Sequence, residues 1–254
     1  MSGQMQGKVI AITGASRGMG RAFATILASE GAKIVALARP SDALGSLAAE
    51  LGSSVLAIAC DISDAQAVTR AIDDGARHFG RLDGIINNAA VIYISKVEDA
   101  TDEQIQRQYA ANLFGSIYAT RAAIPHLRAA GGGDIIFMSS ESIRMAFPLL
   151  TLYISSKTAI EGLAMGLRQE LRAQGTRVTV LRSGAVDTGT ISEGWTEEQT
   201  NHFMAEAIRS GCLAFSGQNA SVESMAKALL AVMALPRDVN VDLIEPRARA
   251  PLPD

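Results

Sequence analysis

Seven short apolar runs separated by longer amphipathic segments constrain this chain more than any other feature. The runs fall at residues 9–13, 34–38, 55–60, 82–87, 134–138, 178–181 and 239–244. None alternates strictly between apolar and polar residues, which is the pattern of strands covered on both faces. Helical periodicity fills the gaps at residues 20–29, 65–79, 102–128, 152–174 and 222–234. Strand–helix–strand alternation implies parallel strands joined by right-handed crossovers. The expectation is an α/β fold, a doubly wound parallel seven-stranded sheet with helices on both faces.

The chain has 254 residues, 48% hydrophobic and 19% charged, enough apolar material for one large core. It contains no Pro/Ser/Gly-rich linker, repeat or low-complexity tract, so residues 1–254 read as a single domain. One stretch, residues 187–218, has no strand run of its own and carries Ile191, Trp195, Phe203, Met204 and Phe215 among polar residues. An insertion of that length in a compact domain reads as a substrate lid. The 23 Lys and Arg against 26 Asp and Glu give a net charge of −3, which argues against nucleic acid or an anionic membrane as partner. Cys60 and Cys212 are too few for a disulfide framework and read as buried free thiols in a reducing, cytoplasmic compartment. The opening MSGQMQGK lacks the basic and apolar regions of a signal peptide. No apolar stretch reaches the ~18 residues of a membrane span.

The first run leads into Thr13-Gly14-Ala15-Ser16-Arg17-Gly18-Met19-Gly20 and then a helix. Glycines at 14, 18 and 20 permit a tight turn and a close approach of a pyrophosphate to the backbone. The helix N-terminus behind them offers free N–H groups to the anion. An acidic residue at the end of the second run would contact a ribose 2′-hydroxyl. Here Ala38 stands at that position and Arg39 follows, so a guanidinium is placed for a 2′-phosphate, with Arg17 as a second. Asp42 is the rival ribose contact and reads better as a helix N-cap. NADP(H) is therefore favoured, with NAD(H) possible.

Tyr153 and Lys157 stand four residues apart in a helical segment, one turn apart on one face. A cation beside a phenol favours its ionised form and lowers a pKa that is ordinarily about 10. Such a tyrosine can give a proton to a nascent alkoxide or take one from an alcohol. His78, His126 and His202 are scattered and form no ligand motif, so no metal is expected.

These motifs resemble the short-chain dehydrogenase/reductase family, in its single-domain branch of about 250 residues, whose fold is of the Rossmann type. Residues 13–20 match the family's T-G-x-x-x-G-x-G, and Asn87-Asn88-Ala89-Ala90 its N-N-A-G with alanine for the glycine. Asp61 falls at the adenine-contacting position, Asn112 at the helix asparagine of a water-mediated proton relay, and Ser140 at the catalytic serine. Tyr153 and Lys157 match Y-x-x-x-K, Ser183-Gly184 the family's P-G without its proline, and Thr188 a nicotinamide-contacting threonine.

The resemblance implies hydride transfer between NADP(H) and a carbonyl compound or alcohol. Ser140 would polarise the carbonyl oxygen, Tyr153 supply the proton, Lys157 hold the cofactor ribose and Asn112 order a water. Cofactor contacts are expected at Gly14, Ser16, Arg17, Gly18, Met19, Gly20, Arg39, Asp61, Ile62, Asn88, Ala89, Tyr153, Lys157, Gly184, Val186 and Thr188. Substrate contacts are expected at Glu141, Ser142, Phe147, Trp195 and Phe203, with Met145 and Leu149 able to join an apolar pocket. Glu141 either meets a polar substrate group or points to solvent. The alternatives are an NAD-dependent alcohol dehydrogenase of the same family and a non-enzymatic NADP(H)-binding scaffold, against which the complete Ser140–Tyr153–Lys157 set speaks. A homotetramer or homodimer is implied, built on the two long helices, the last helix and strand, and a tail at 246–254.

Overall fold

A computed structural model describes residues 3–189 and 195–248. Ile191 and the tail beyond Ala248 lie outside the described residues. Strand β1 (Val9–Thr13) is followed by α1 (Gly18–Ser29), β2 (Lys33–Ala38), α2 (Asp42–Leu51), β3 (Val55–Ala59) and α3 (Ala65–Phe79). Then come β4 (Gly84–Asn87), α4 (Asp102–Tyr109), α5 (Gly115–Ala129), β5 (Asp134–Ser140), α6 (Thr151–Leu171) and β6 (Arg177–Ser183). The remainder is β7 (Val186–Asp187), α7 (Glu197–Arg209), α8 (Cys212–Ser216), β8 (Ala220–Ser221), α9 (Val222–Met233) and β9 (Leu243–Ile244).

Seven strands form one sheet in the order β3-β2-β1-β4-β5-β6-β9, with every pairing parallel. The order reverses direction between β1 and β4, the switch point beside which α/β sheets of this kind bind ligands. Alternate residues of each strand feed two cores. Ile10, Ile12, Ile34, Ile86, Ile136 and Leu181 pack with α1, α2 and α9. Val9, Ala11, Val35, Ile85, Phe137 and Val180 pack with α3, α5 and α6. Each fully buried Ile or Leu contributes about 1.5–3 kcal/mol of transfer free energy, which is why these runs carry no polar face. Among the described residues no helix is long and apolar enough to cross a membrane. Cys60 and Cys212 are both buried and free.

Several boundaries differ from the sequence expectation, each for a local reason. The expected strand 239–244 shrinks to β9, because the Arg177 guanidinium takes the Val239 carbonyl at 3.2 Å and Arg168 that of Asp242. The expected helix 102–128 is broken by a π-helical turn at Ala110–Phe114. The fifth strand runs on through Ser140, so the candidate catalytic serine is the last strand residue. Asp42 is not a cap: Ser41 is the N-cap of α2, accepting from the Leu44 N–H, and Asp42 is the first helical residue. The segment expected to lack strand partners is also corrected. Its first residue, Asp187, pairs with Ser221 in a two-stranded ladder of β7 and β8, and it contains α7 and α8.

Candidate active site

The glycine turn at the end of β1 is held from β4. Thr13 Oγ1 accepts the backbone N–H groups of Asn88 (2.9 Å) and Ala89 (3.0 Å). In return, Asn88 Nδ2 donates to the carbonyls of Thr13 (3.0 Å) and Gly14 (3.3 Å). Gly14 has φ +67°, and a Cβ at Gly20 would lie 2.1 Å from the Gly14 oxygen and 2.6 Å from Asn88 Nδ2. The turn is thus closed to any side chain at position 20. Helix α1 begins behind it with no side-chain cap and no acidic residue in its first turn. Uncapped N–H groups at the positive end of a helix dipole suit a phosphate, so the residues present fit the pyrophosphate of a dinucleotide. Ser16, Gly18 and Met19 complete the turn. Asn88 and Ala89 reach this site as turn-holding groups, a role the sequence reading did not assign.

Arg39 is exposed just beyond β2 and forms no ion pair among the described residues. Asp61, after β3, already accepts from the Ser63 N–H (2.9 Å) and hydroxyl (2.7 Å). Those two bonds hold its carboxyl below the usual range against partial burial, and the Arg39 charge adds to them. Arg17 is exposed, Gly184 and Thr188 are half-buried, and Val186 is buried in β7. Ile62 is the residue that Gly115, at the start of α5, packs against: a Cβ there would come within 2.7 Å of its side chain.

The catalytic candidates meet where β5 ends and α6 begins. Tyr153 lies beside Ser140, whose side chain favours the ionised phenol. Ser140 Oγ accepts the Ser142 N–H at 3.2 Å and is 2.9 Å from the Ser142 hydroxyl. Lys157 is buried, donates from Nζ to the Met138 carbonyl at 2.8 Å, and places Nζ 5.7 Å from the Tyr153 ring centre. The net pKa direction differs from the sequence expectation. Burial pushes Tyr153 up to about 12, with the neighbouring Ser140 side chain pulling the other way, and lowers Lys157 to about 8. At neutral pH the phenol therefore carries its proton.

Asn112 sits in the π-helical turn, buried. Its Nδ2 donates to the Val91 carbonyl (3.0 Å) and Ser156 Oγ (3.1 Å), and its Oδ1 accepts the Val91 N–H (2.8 Å). It ties the loop after β4 to α6 next to Tyr153.

Of the expected substrate residues, Glu141 is the clear correction. It is buried, accepting from Ser216 Oγ at 2.5 Å and from Arg247 Nε at 3.0 Å, so it faces neither substrate nor solvent. Ser142 is buried against Ser140. Phe147 is half-buried on the loop after it. Trp195 packs edge-on against Phe203 at 5.5 Å and donates from Nε1 to the Ile92 carbonyl at 3.0 Å, fastening the residues before α7 to the loop after β4. Beside them a cavity of about 280 Å³ is lined by Ile94, Lys96, Leu149, Gln199 and His202 among others. Leu149 holds φ +63°, the one non-glycine residue with positive φ among the described residues, and its carbonyl accepts from Ser95 N–H at 3.0 Å.

Sequence reading missed Glu161 and Arg247. Glu161, one helical turn after Lys157, accepts from Ser139 Oγ at 2.7 Å and from both ends of the Arg182 fork. Burial opposes its ionisation, but those bonds hold its carboxyl below the usual range. The i, i+4 spacing from Lys157 was visible; its partners were not.

Fold order, glycine turn and uncapped helix together define a dinucleotide-binding α/β protein. The model of the short chain dehydrogenase family matches residues 8–199. This chain belongs to that family of nicotinamide-dependent oxidoreductases. It is 34% identical over 227 residues to oxidoreductase BOA17 of Botryotinia fuckeliana, covering 85% of this chain and 81% of that one. It is 32% identical over 250 residues to glycine betaine reductase ATRR of Emericella nidulans, covering 96% of this chain but 19% of that much longer protein. Among solved structures it is similar to an alcohol dehydrogenase from Thermococcus sibiricus complexed with 5-hydroxy-NADP. The TM-score is 0.81 at 28% identity, over 97% of this chain and 99% of that one.

Proposed function

We propose that the chain is an NADP(H)-dependent oxidoreductase interconverting a carbonyl compound and an alcohol. The observation that carries this reading is the meeting of Ser140, at the end of β5, with Tyr153 and the buried Lys157 one turn further along α6, its Nζ 5.7 Å from the Tyr153 ring centre. When bound, the nicotinamide cofactor supplies or accepts the hydride at the carbonyl carbon. The chain's own residues do the rest. Ser140 Oγ, oriented by Ser142, donates to the substrate oxygen and stabilises the charge that develops there. Tyr153, held as a phenol at neutral pH, transfers its proton to that oxygen. Lys157 holds the nicotinamide ribose and, as a cation beside the phenol, offsets the charge left on it. Asn112 fixes the loop and helix between which the proton is replaced from solvent.

Gly14, Gly18 and Gly20 would cradle the pyrophosphate, with Ser16, Met19, Asp61, Ile62, Val186 and Thr188 flanking the nucleotide. Arg39, with Arg17, supports a 2′-phosphate. A solved structure of similar fold is complexed with 5-hydroxy-NADP, which supports an NADP(H) site in this chain. The described residues 195–218, with α7 and α8, would form the substrate lid, with Trp195, Phe203 and Phe147 as apolar walls. Exposed Phe114 and Met165, on the two long-helix faces, support assembly into a homodimer or homotetramer.

The test is NADPH consumption across a panel of aldehydes and ketones, and NADP⁺ reduction with secondary alcohols. Turnover of at least one class is expected. Cofactor binding without any turnover would leave a scaffold protein instead.

A further inference from the structure

Glu141 directly follows the candidate catalytic serine and is nearly sealed from solvent, at 4% exposure. It opens the 3-10 turn Glu141–Ile143, and its carbonyl accepts from the Arg144 N–H at 2.8 Å. That turn presents Ser142, whose N–H and hydroxyl both meet Ser140 Oγ. Wherever the Glu141 side chain is anchored, the turn and the serine oxygen follow.

Its anchors come from two distant parts of the chain. Ser216 belongs to α8, inside the segment read as the lid. Arg247 belongs to the strap after β9. The Arg247 guanidinium lies 4.0 Å above the Phe215 ring and donates to the Phe215 carbonyl, so it grips α8 as well. The strap runs behind Gly184: the Gly184 N–H donates to the Pro246 carbonyl at 3.0 Å, and a Cβ at Gly184 would lie 3.1 Å from Arg247 Cα. One ion pair therefore joins the serine turn, the lid and the loop after β6.

With Glu141 sealed and Arg247 partly exposed, this ion pair contributes little net stability, because desolvating the carboxylate offsets the attraction, yet losing Arg247 leaves an uncompensated buried charge. What it supplies here is direction: the carboxylate divides its oxygens between Ser216 and Arg247, and the planar guanidinium divides its donors between Glu141 and the Phe215 carbonyl, which fixes three segments relative to one another. We infer that Glu141 and Arg247 are positioning residues, a clamp that sets Ser140 Oγ and docks α8 over the substrate side. This rests on the reading of Ser140 as the group that polarises the carbonyl.

The double variant Glu141→Gln/Arg247→Met separates positioning from stability. Each single variant should melt lower than wild type, and the double should recover most of the loss. Its kcat/KM should nevertheless stay at least about tenfold down, with the loss in kcat and NADPH affinity unchanged. Amide exchange should quicken together in residues 139–145 and 212–217. Arg247→Lys, which keeps the charge but loses the fork and stacking, should fold and show the same kcat loss. A double variant or Arg247→Lys protein with wild-type kcat/KM and wild-type exchange overturns the clamp. Absence of turnover in wild type would instead refute the catalytic reading, and the exchange measurement would still decide the clamp.

Discussion

Thr13 and Asn88 hold each other across the switch point of the sheet. The threonine hydroxyl oxygen accepts the asparagine backbone N–H at 2.9 Å, and the asparagine amide donates to the threonine carbonyl at 3.0 Å. The phosphate-binding turn is thereby fastened to the strand whose loop leads to Asn112 and Trp195. Replacing Thr13 by Val leaves two N–H groups without their acceptor, each costing about 1–3 kcal/mol if it stays buried. Thermal unfolding should shift down and NADPH affinity fall by about tenfold or more. Calorimetry with and without NADPH reads both effects, and an unchanged affinity would detach this pair from the cofactor site.

Arg39 tests cofactor choice. A charge-assisted hydrogen bond contributes about 1.5–3 kcal/mol, so Arg39→Ala should weaken NADPH by about ten- to a hundredfold and leave NADH nearly unchanged. Titrations of both cofactors distinguish this from a general effect, because equal weakening of both would assign Arg39 no part in reading the 2′-phosphate.

Lys157 gives a prediction with a defined pH window. Burial lowers its pKa from 10.5 in the unfolded chain to about 8 in the folded one. The unfolded state thus binds more protons between those values, and stability rises with pH across the window. Below about 8 the charged, buried lysine costs roughly 3 kcal/mol relative to a neutral side chain. Lys157→Met should therefore raise the stability measured at pH 7, and the gain should shrink as pH climbs from 8 towards 10.5. Urea unfolding at three pH values checks it; a gain that grows with pH contradicts the sign.

Local signals in the sequence account for much of this architecture. Helix α3 ends where expected at both termini, because Asp64 caps it and Gly80, at φ +79°, stops it. The glycine turn and the Tyr153–Lys157 spacing are local and were legible for the same reason. Helix α7 also had a local signal, the Thr196–Gln199 capping box, which the sequence reading passed over because no apolar run flagged the segment. The π-helical turn was hidden, since continuous periodicity through 102–128 says nothing of one residue that widens a turn. Glu141 was misassigned because its partner lies 106 residues further on, in a segment with no pattern of its own. Contacts of that range belong to packing, and a single sequence does not display them.

Tyr153→Phe tests the central claim most directly. The change removes the phenol hydroxyl beside Ser140 and leaves the ring, Lys157 and the glycine turn in place. With a carbonyl substrate from the NADPH panel, turnover should fall at least about a hundredfold while NADPH affinity changes little. A Phe variant that turns over at close to the wild-type rate would contradict the assignment of Tyr153 as the proton donor.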